Sequence, residues 1–196
     1  MFNKLFDGLI IIIIVVVTLS ACDFKVQTDS NNSVNNLNTN SNISPVDSFV
    51  FFENVLLKDS LNTKLRYALA TNYYIDKQFE KAIEHLLKVC ALDNKNIDAL
   101  ITLGNVYYDS QQNEKAIAYY EKALALNMKN VNVRCDMATC YLNINKPEIA
   151  IKLLKRNIEM EPNHAQSHHN LSVVYNQIGK TKEAEEQMKI FNKFKK

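Results

Sequence analysis

The chain has 196 residues, with 23 Lys and Arg against 21 Asp and Glu, and a formal charge of +2. A balance so close to neutral argues against a polyanionic partner, because nucleic acid requires a basic face. With three Gly, three Pro and no alternating β pattern, the composition points to an all-helical protein.

The chain opens MFNKLFDGLIIIIIVVVTLSAC. Lys4 is followed by an apolar run from Leu9 to Leu19 in which Thr18 is the one polar residue. A run this short suits a signal-peptide core better than a membrane span. It closes on LSAC at residues 19–22. That ending resembles a bacterial lipobox. The resemblance implies a signal peptide over 1–21, cleavage before Cys22 and covalent lipid on that residue. An uncleaved anchor helix is the alternative. Asp23 resembles the inner-membrane retention signal of enteric-type bacteria, but the rule differs between groups, so inner and outer membrane both stay open. Removing residues 1–21 takes away Lys4 and Asp7 and leaves the charge at +2.

Residues 22–45 are polar and of low complexity, with seven Asn between Asn31 and Asn42. Such sequence cannot bury enough apolar area to order itself. It reads as a disordered tether spanning about 25 Å. Residues 46–62 begin VDSFVFFENVLLK. They align with the second half of the units that follow, with Ser48 at a small position and Phe52 at an aromatic one. Two readings stand: a capping half-repeat, or a docking surface for a partner or second copy.

From residue 63 onward the sequence repeats at an offset of 34 residues. Tyr73, Tyr107, Tyr141 and Tyr175 share one register. Ala82, Ala116, Ala150 and Ala184 share another, and Leu69, Leu103, Met137 and Leu171 a third. Within each unit apolar residues recur every three or four positions, the period of an amphipathic helix. Two such stretches form a hairpin that cannot bury its face alone, so the units must stack. Pro147 fits the start of a second helix, Pro162 the turn after it, and Gly179 a hairpin turn.

In the second unit Leu100, Leu103, Gly104, Tyr107, Ala116, Tyr120 and Ala123 stand in the order of the tetratricopeptide repeat (TPR), which the chain resembles over 63–196. Ala70, Ala138 and Ser172 replace the usual Gly elsewhere. The resemblance implies a right-handed α-solenoid with repeats at 63–96, 97–130, 131–164 and 165–196. It also implies a concave groove lined by the first helix of each hairpin. The lining would be Lys64, Tyr67, Thr71, Tyr74 and Ile75 from the first unit, and Asp98, Ile101, Asn105, Tyr108 and Asp109 from the second. The third would give Asn132, Cys135, Thr139, Leu142 and Asn143, and the fourth His169, Val173, Asn176 and Gln177. Tyr and Asn predominate, which suits a protein or peptide partner. The cation clamp of chaperone-binding repeats is absent, since Tyr67, Ile101 and Cys135 stand where cations would be. No Asn ladder is expected either, because Ala68, Thr102, Asp136 and Asn170 fill that row.

Other chemistry is sparse. His164, His168 and His169 form the one dense ligand-type group, and His164 and His168 can share a helix face. A zinc ion would need a third and usually a fourth ligand, and none stands nearby. Cys90 and Cys140 fall at core positions, while Cys135 is expected to face the groove. No nucleophile–base pair, phosphate-binding Gly loop or paired carboxylates occur, so an enzyme is not indicated and no cofactor beyond the lipid on Cys22 is implied. The last helix, about 181–195, carries Ala184, Met188, Phe191 and Phe194 as one stripe. It is expected to cap its own solenoid, with a membrane-surface role for KIFNKFKK as the alternative.

The expectation is therefore a lipid-anchored envelope protein, its soluble domain outside the cytoplasm, that scaffolds protein–protein contacts. Related architectures include pilotins of type IV pilus assembly and adaptors of peptidoglycan hydrolases. A metal-binding or enzyme-associated envelope protein using the three histidines is the second reading.

Overall fold

A computed structural model describes the backbone of residues 45–195 and the side chains of residues 49–195. The expected signal peptide, the lipobox with Cys22 and nearly all of the tether lie outside the described residues. The chain divides between Phe51 and Phe52. Of the first unit, the described part is the opening of helix α1 (Pro45–Lys58).

The second unit takes in the end of α1 and four helical hairpins: α2 (Thr63–Ile75) with α3 (Phe79–Leu92), α4 (Ile97–Asp109) with α5 (Asn113–Leu126), α6 (Val131–Asn143) with α7 (Pro147–Met160), and α8 (Ala165–Gln177) with α9 (Thr181–Phe194). The described residues contain no strand. Each helix from α2 onward packs on the next, and the first helices of adjacent hairpins also meet, α2 on α4 and α6 on α8. Among the described residues these contacts run between neighbours along the stack, which is how a solenoid is built.

The 34-residue period is written into the helix ends as well as the faces. Asn62, Asn96 and Asn130 cap the first helix of three hairpins, each side-chain oxygen accepting from the backbone N–H three residues on. In the fourth unit His164 takes the same role, its Nδ1 accepting from Ser167 N at 3.3 Å. Such caps satisfy one of the orphan donors of a helix start. At the other end, the turn inside every hairpin needs one left-handed residue. These are Lys77 (φ 59°), Gln111 (φ 63°), Asn145 (φ 57°) and Gly179 (φ 77°). The N–H that follows each bonds back to the carbonyl of Tyr73, Tyr107, Tyr141 or Tyr175 at 2.8 Å. This closes a Schellman-type turn. Pro147 opens α7, where its missing N–H costs no helix bond.

The core follows the small and large positions of the repeat. Ala82, Ala116, Ala150 and Ala184 are all buried between helices, as are Leu69, Leu103, Met137 and Leu171. A second feature recurs at the position that is Leu100 in the second unit. Arg66 Nη2 donates to Ser60 O at 2.8 Å, and Arg134 Nη2 donates to Met128 O. His168 Nε2 bonds Pro162 O at 2.9 Å. All three buried side chains thus tie down the carbonyl six residues back, in the turn between repeats. Each has a second partner on the next helix: His85 for Arg66, Asn157 for Arg134 and Gln187 for His168. The second unit has Leu100 at this place and fills it with apolar volume.

Cysteine burial departs from expectation. Cys140 is buried, but Cys90, near the end of α3, is only partly buried.

Candidate functional site

The first helices α2, α4 and α6 present a row of polar and aromatic side chains to a common face. Tyr74 donates its hydroxyl to Asp109 Oδ2 at 2.5 Å, joining α2 to α4. Tyr67 bonds Thr102 at 3.0 Å across the same gap. Further along, Asn170 Nδ2 donates to Thr139 Oγ1 at 3.3 Å, joining α8 to α6. His164 Nε2 donates to Asn132 Oδ1 at 2.9 Å. The first hairpin is therefore tied to the second, and the third to the fourth, by side chains. The row without an Asn ladder is not inert: Thr102 and Asn170 both take part in these links.

A pocket of about 220 Å³ opens in this face. Tyr74, Asn105, Tyr108, Asp109 and Thr139 line it, five of the residues that the resemblance implies for the groove. Tyr120 and Asp136 line it too, and neither is among the residues expected there. Tyr120 lies on the second helix of its hairpin and is only 1% exposed, so the pattern places it in the core. It reaches the groove floor because Gly104 stands opposite. A Cβ built on Gly104 would come within 2.5 Å of the ring. The ring lies against the α4 backbone and sends its hydroxyl to Asn105 Oδ1 at 2.7 Å. The signal was in the sequence: Tyr120 is the one aromatic among Leu86, Tyr120, Leu154 and Met188, and it faces the one Gly among Ala70, Gly104, Ala138 and Ser172.

Burial dominates the electrostatics of the pocket. It raises the Tyr74 and Tyr120 hydroxyls far above the ordinary phenol value, with the Asp109 hydrogen bond adding to the shift at Tyr74. It also lifts the Asp136 carboxyl above the usual carboxylate range. The Asp136 side chain is open to solvent along the groove, yet protein walls on both sides displace part of its hydration.

Two expected lining residues are elsewhere. Cys135 is 1% exposed and sits inside the α6–α7–α8 contact, its Sγ 3.2 Å from Ser167 Oγ and 3.3 Å from Asn157 Nδ2. The short thiol does not reach past these neighbours, and burial raises its pKa. Leu142 is also buried, against the same core. The remaining expected residues hold to the surface: Lys64, Asp98, Asn132, Asn143, Asn176 and Gln177 are exposed, and Thr71, Ile101 and His169 are half-buried. Asn143 Nδ2 donates to Asn113 Oδ1 at 3.1 Å, and the His169 ring packs on Phe191 with centroids 5.0 Å apart.

The three histidines do not converge. His164 is a helix cap, His168 has both ring nitrogens within hydrogen-bond reach of protein partners, and His169 packs on α9. Among the described residues no group of three or more His, Cys, Asp or Glu is arranged to hold a metal ion.

Family profiles match the middle of the chain: the tetratricopeptide repeat over 97–130 and again over 119–152, and the TPR repeat over 72–110. The fold is a tetratricopeptide-repeat solenoid. Solved structures agree with it. A crystal structure of MamA is similar with a TM-score of 0.70 at 21% identity, covering 76% of this chain and 87% of that one. MamA MSR-1 gives a TM-score of 0.66 at 24% identity, over 76% of this chain and 86% of that one. YrrB, described as a TPR protein with an unusual peptide-binding site, gives 0.67 at 21% identity, over 77% of this chain and 78% of that one. No curated protein sequence matches the chain. In TPR terms, the pocket lies on the face formed by the first helices of repeats one to three, with the second helix of repeat two as its floor.

Proposed function

We propose that the chain is a lipid-anchored envelope protein whose TPR groove holds a protein or peptide partner, acting as a scaffold or assembly factor. The observation that carries this reading is the pocket itself. Stacked solenoids present extended concave surfaces. Here one carries three tyrosines, an amide and a hydroxyl around open space, the residue types that anchor a chain by ring contact and hydrogen bonds. YrrB, a TPR protein of similar fold, is described as having a peptide-binding site. The anchor rests on the sequence: an apolar run, LSAC and a polar tether. Two acyl chains are sufficient for stable membrane attachment. A pilotin-like or peptidoglycan-enzyme adaptor role fits such a protein. The test is photocrosslinking in the native cell from position 108, with Lys155 on the exposed side of α7 as control. A discrete adduct from 108 and none from 155 supports the groove. The reverse pattern overturns it.

A further inference from the structure

The walls of the pocket specify the charge of what enters it. Resting on the groove reading above, we propose that the pocket between Tyr74, Tyr108, Tyr120, Asp109 and Asp136 receives a basic side chain of the partner, arginine or lysine. The cavity of about 220 Å³ is open on one side and has room for several waters at about 30 Å³ each, so it fits a side-chain head group rather than a folded element. Two carboxylates and three phenol rings surround it.

Among the described residues neither carboxylate is paired with a cation. The ion pairs among the described residues are His85–Glu53, Lys88–Glu84 and Arg156–Glu159. Three basic residues of the neighbouring helices are engaged elsewhere. Arg134 is buried against Asn157 and Met128 O, Lys115 lies over the Tyr107 ring, and Lys122 lies over the Tyr119 ring. Asp109 already accepts the Tyr74 hydroxyl, which fixes its position and leaves its charge uncompensated. Burial acts on Asp136 with no opposing cation, so a charge brought by a partner would relieve the pocket's own cost. A guanidinium or ammonium entering here gains charge-assisted hydrogen bonds to two carboxylates and a tyrosine face to stack on. A carboxylate ligand would meet repulsion, which gives the pocket discrimination as well as attraction.

The experiment uses the full-length protein in a non-ionic detergent and two small probes, N-acetyl-arginine amide and N-acetyl-citrulline amide. The two have nearly the same shape and differ in charge. Amide resonances of Asn105, Tyr108 and Thr139 report occupancy. The arginine probe should bind about fivefold more tightly or better. That preference should shrink as salt rises from about 50 to 500 mM and vanish in D109N/D136N, whose melting curve serves as the folding control. Equal affinity for the two probes, or a preference that survives D109N/D136N, overturns the proposal. Crosslinking from position 108 separates the two claims. An adduct without an arginine preference keeps the groove and removes the basic pocket. An arginine preference without an adduct keeps the pocket and removes the groove as a partner site.

Discussion

Gly104→Ala is the substitution for which the structure gives the clearest arithmetic. In a helix interior, Ala is favoured over Gly by about 0.5–1 kcal/mol. Here the new Cβ would lie 2.5, 2.7 and 3.1 Å from three carbons of the Tyr120 ring. That ring is 1% exposed and tied to Asn105, so it cannot swing away as a flexible side chain would. Overpacking a filled core costs about 1–3 kcal/mol. Two contacts under 3.0 Å place this case in the upper half of that range. After the helix gain, the net loss is about 1–2.5 kcal/mol. The melting midpoint should fall by about 2–10 °C. The other repeats supply the rescue: Ala70 pairs with Leu86, and Ala138 with Leu154. Adding Tyr120→Leu to Gly104→Ala should therefore recover most of the loss and give a coupling of about 1 kcal/mol or more. Circular-dichroism melting of the two singles and the double measures it. Strict additivity, or no loss in Gly104→Ala, would refute the close contact.

Three further outcomes follow from other parts of the molecule. Arg134→Leu copies Leu100 of the second repeat but leaves Asn157 Oδ1 and the Met128 carbonyl without their donor, so it should cost about 1–3 kcal/mol. Adding Asn157→Ala, which copies Ala123, should make the double less destabilised than the sum of the singles in urea melts. His85 has its pKa lowered from 6.5, first by burial, with Arg66 acting in the same direction and Glu53 and Glu84 against it. The unfolded chain then binds more protons than the fold below about pH 6.5, so stability falls as pH drops through that value. The difference in melting midpoint between pH 7.5 and pH 5.5 should shrink in His85→Gln, and an unchanged difference would exclude His85 as its source. Cys22→Ala should leave the precursor unprocessed and abolish fatty-acid labelling, whereas normal labelling would remove the lipoprotein assignment.

Much of this fold can be read from the sequence because a repeat states its register several times over. Tyr73, Tyr107, Tyr141 and Tyr175 fix the first helices, and Ala82, Ala116, Ala150 and Ala184 fix the second. Five lining residues of the pocket are ones that the TPR resemblance places in the groove. The register assigns a residue to a face but not how far its side chain reaches. Cys135 occupies the same place as Tyr67, Ile101 and His169. The longer side chains reach out of the interface, while the thiol stays inside it beside Ser167 and Asn157. Tyr120 errs the other way: it is long enough, and close enough to the bare α4 backbone at Gly104, to reach the groove from a core position. The left-handed turn positions were hidden for a different reason. Gly179 announces one, and Asn145 is a residue type that tolerates this conformation, but Lys77 and Gln111 adopt it held by the bonds of their turns rather than by their own preference.

Amide hydrogen exchange of the full-length protein, with and without the partner captured from position 108, tests the central claim most directly. If the groove is the binding surface, the partner should slow exchange along α4 and α6 and leave the exposed sides of α5 and α7 unchanged. Protection confined to α5 and α7, with α4 and α6 exchanging as in the free protein, would contradict it.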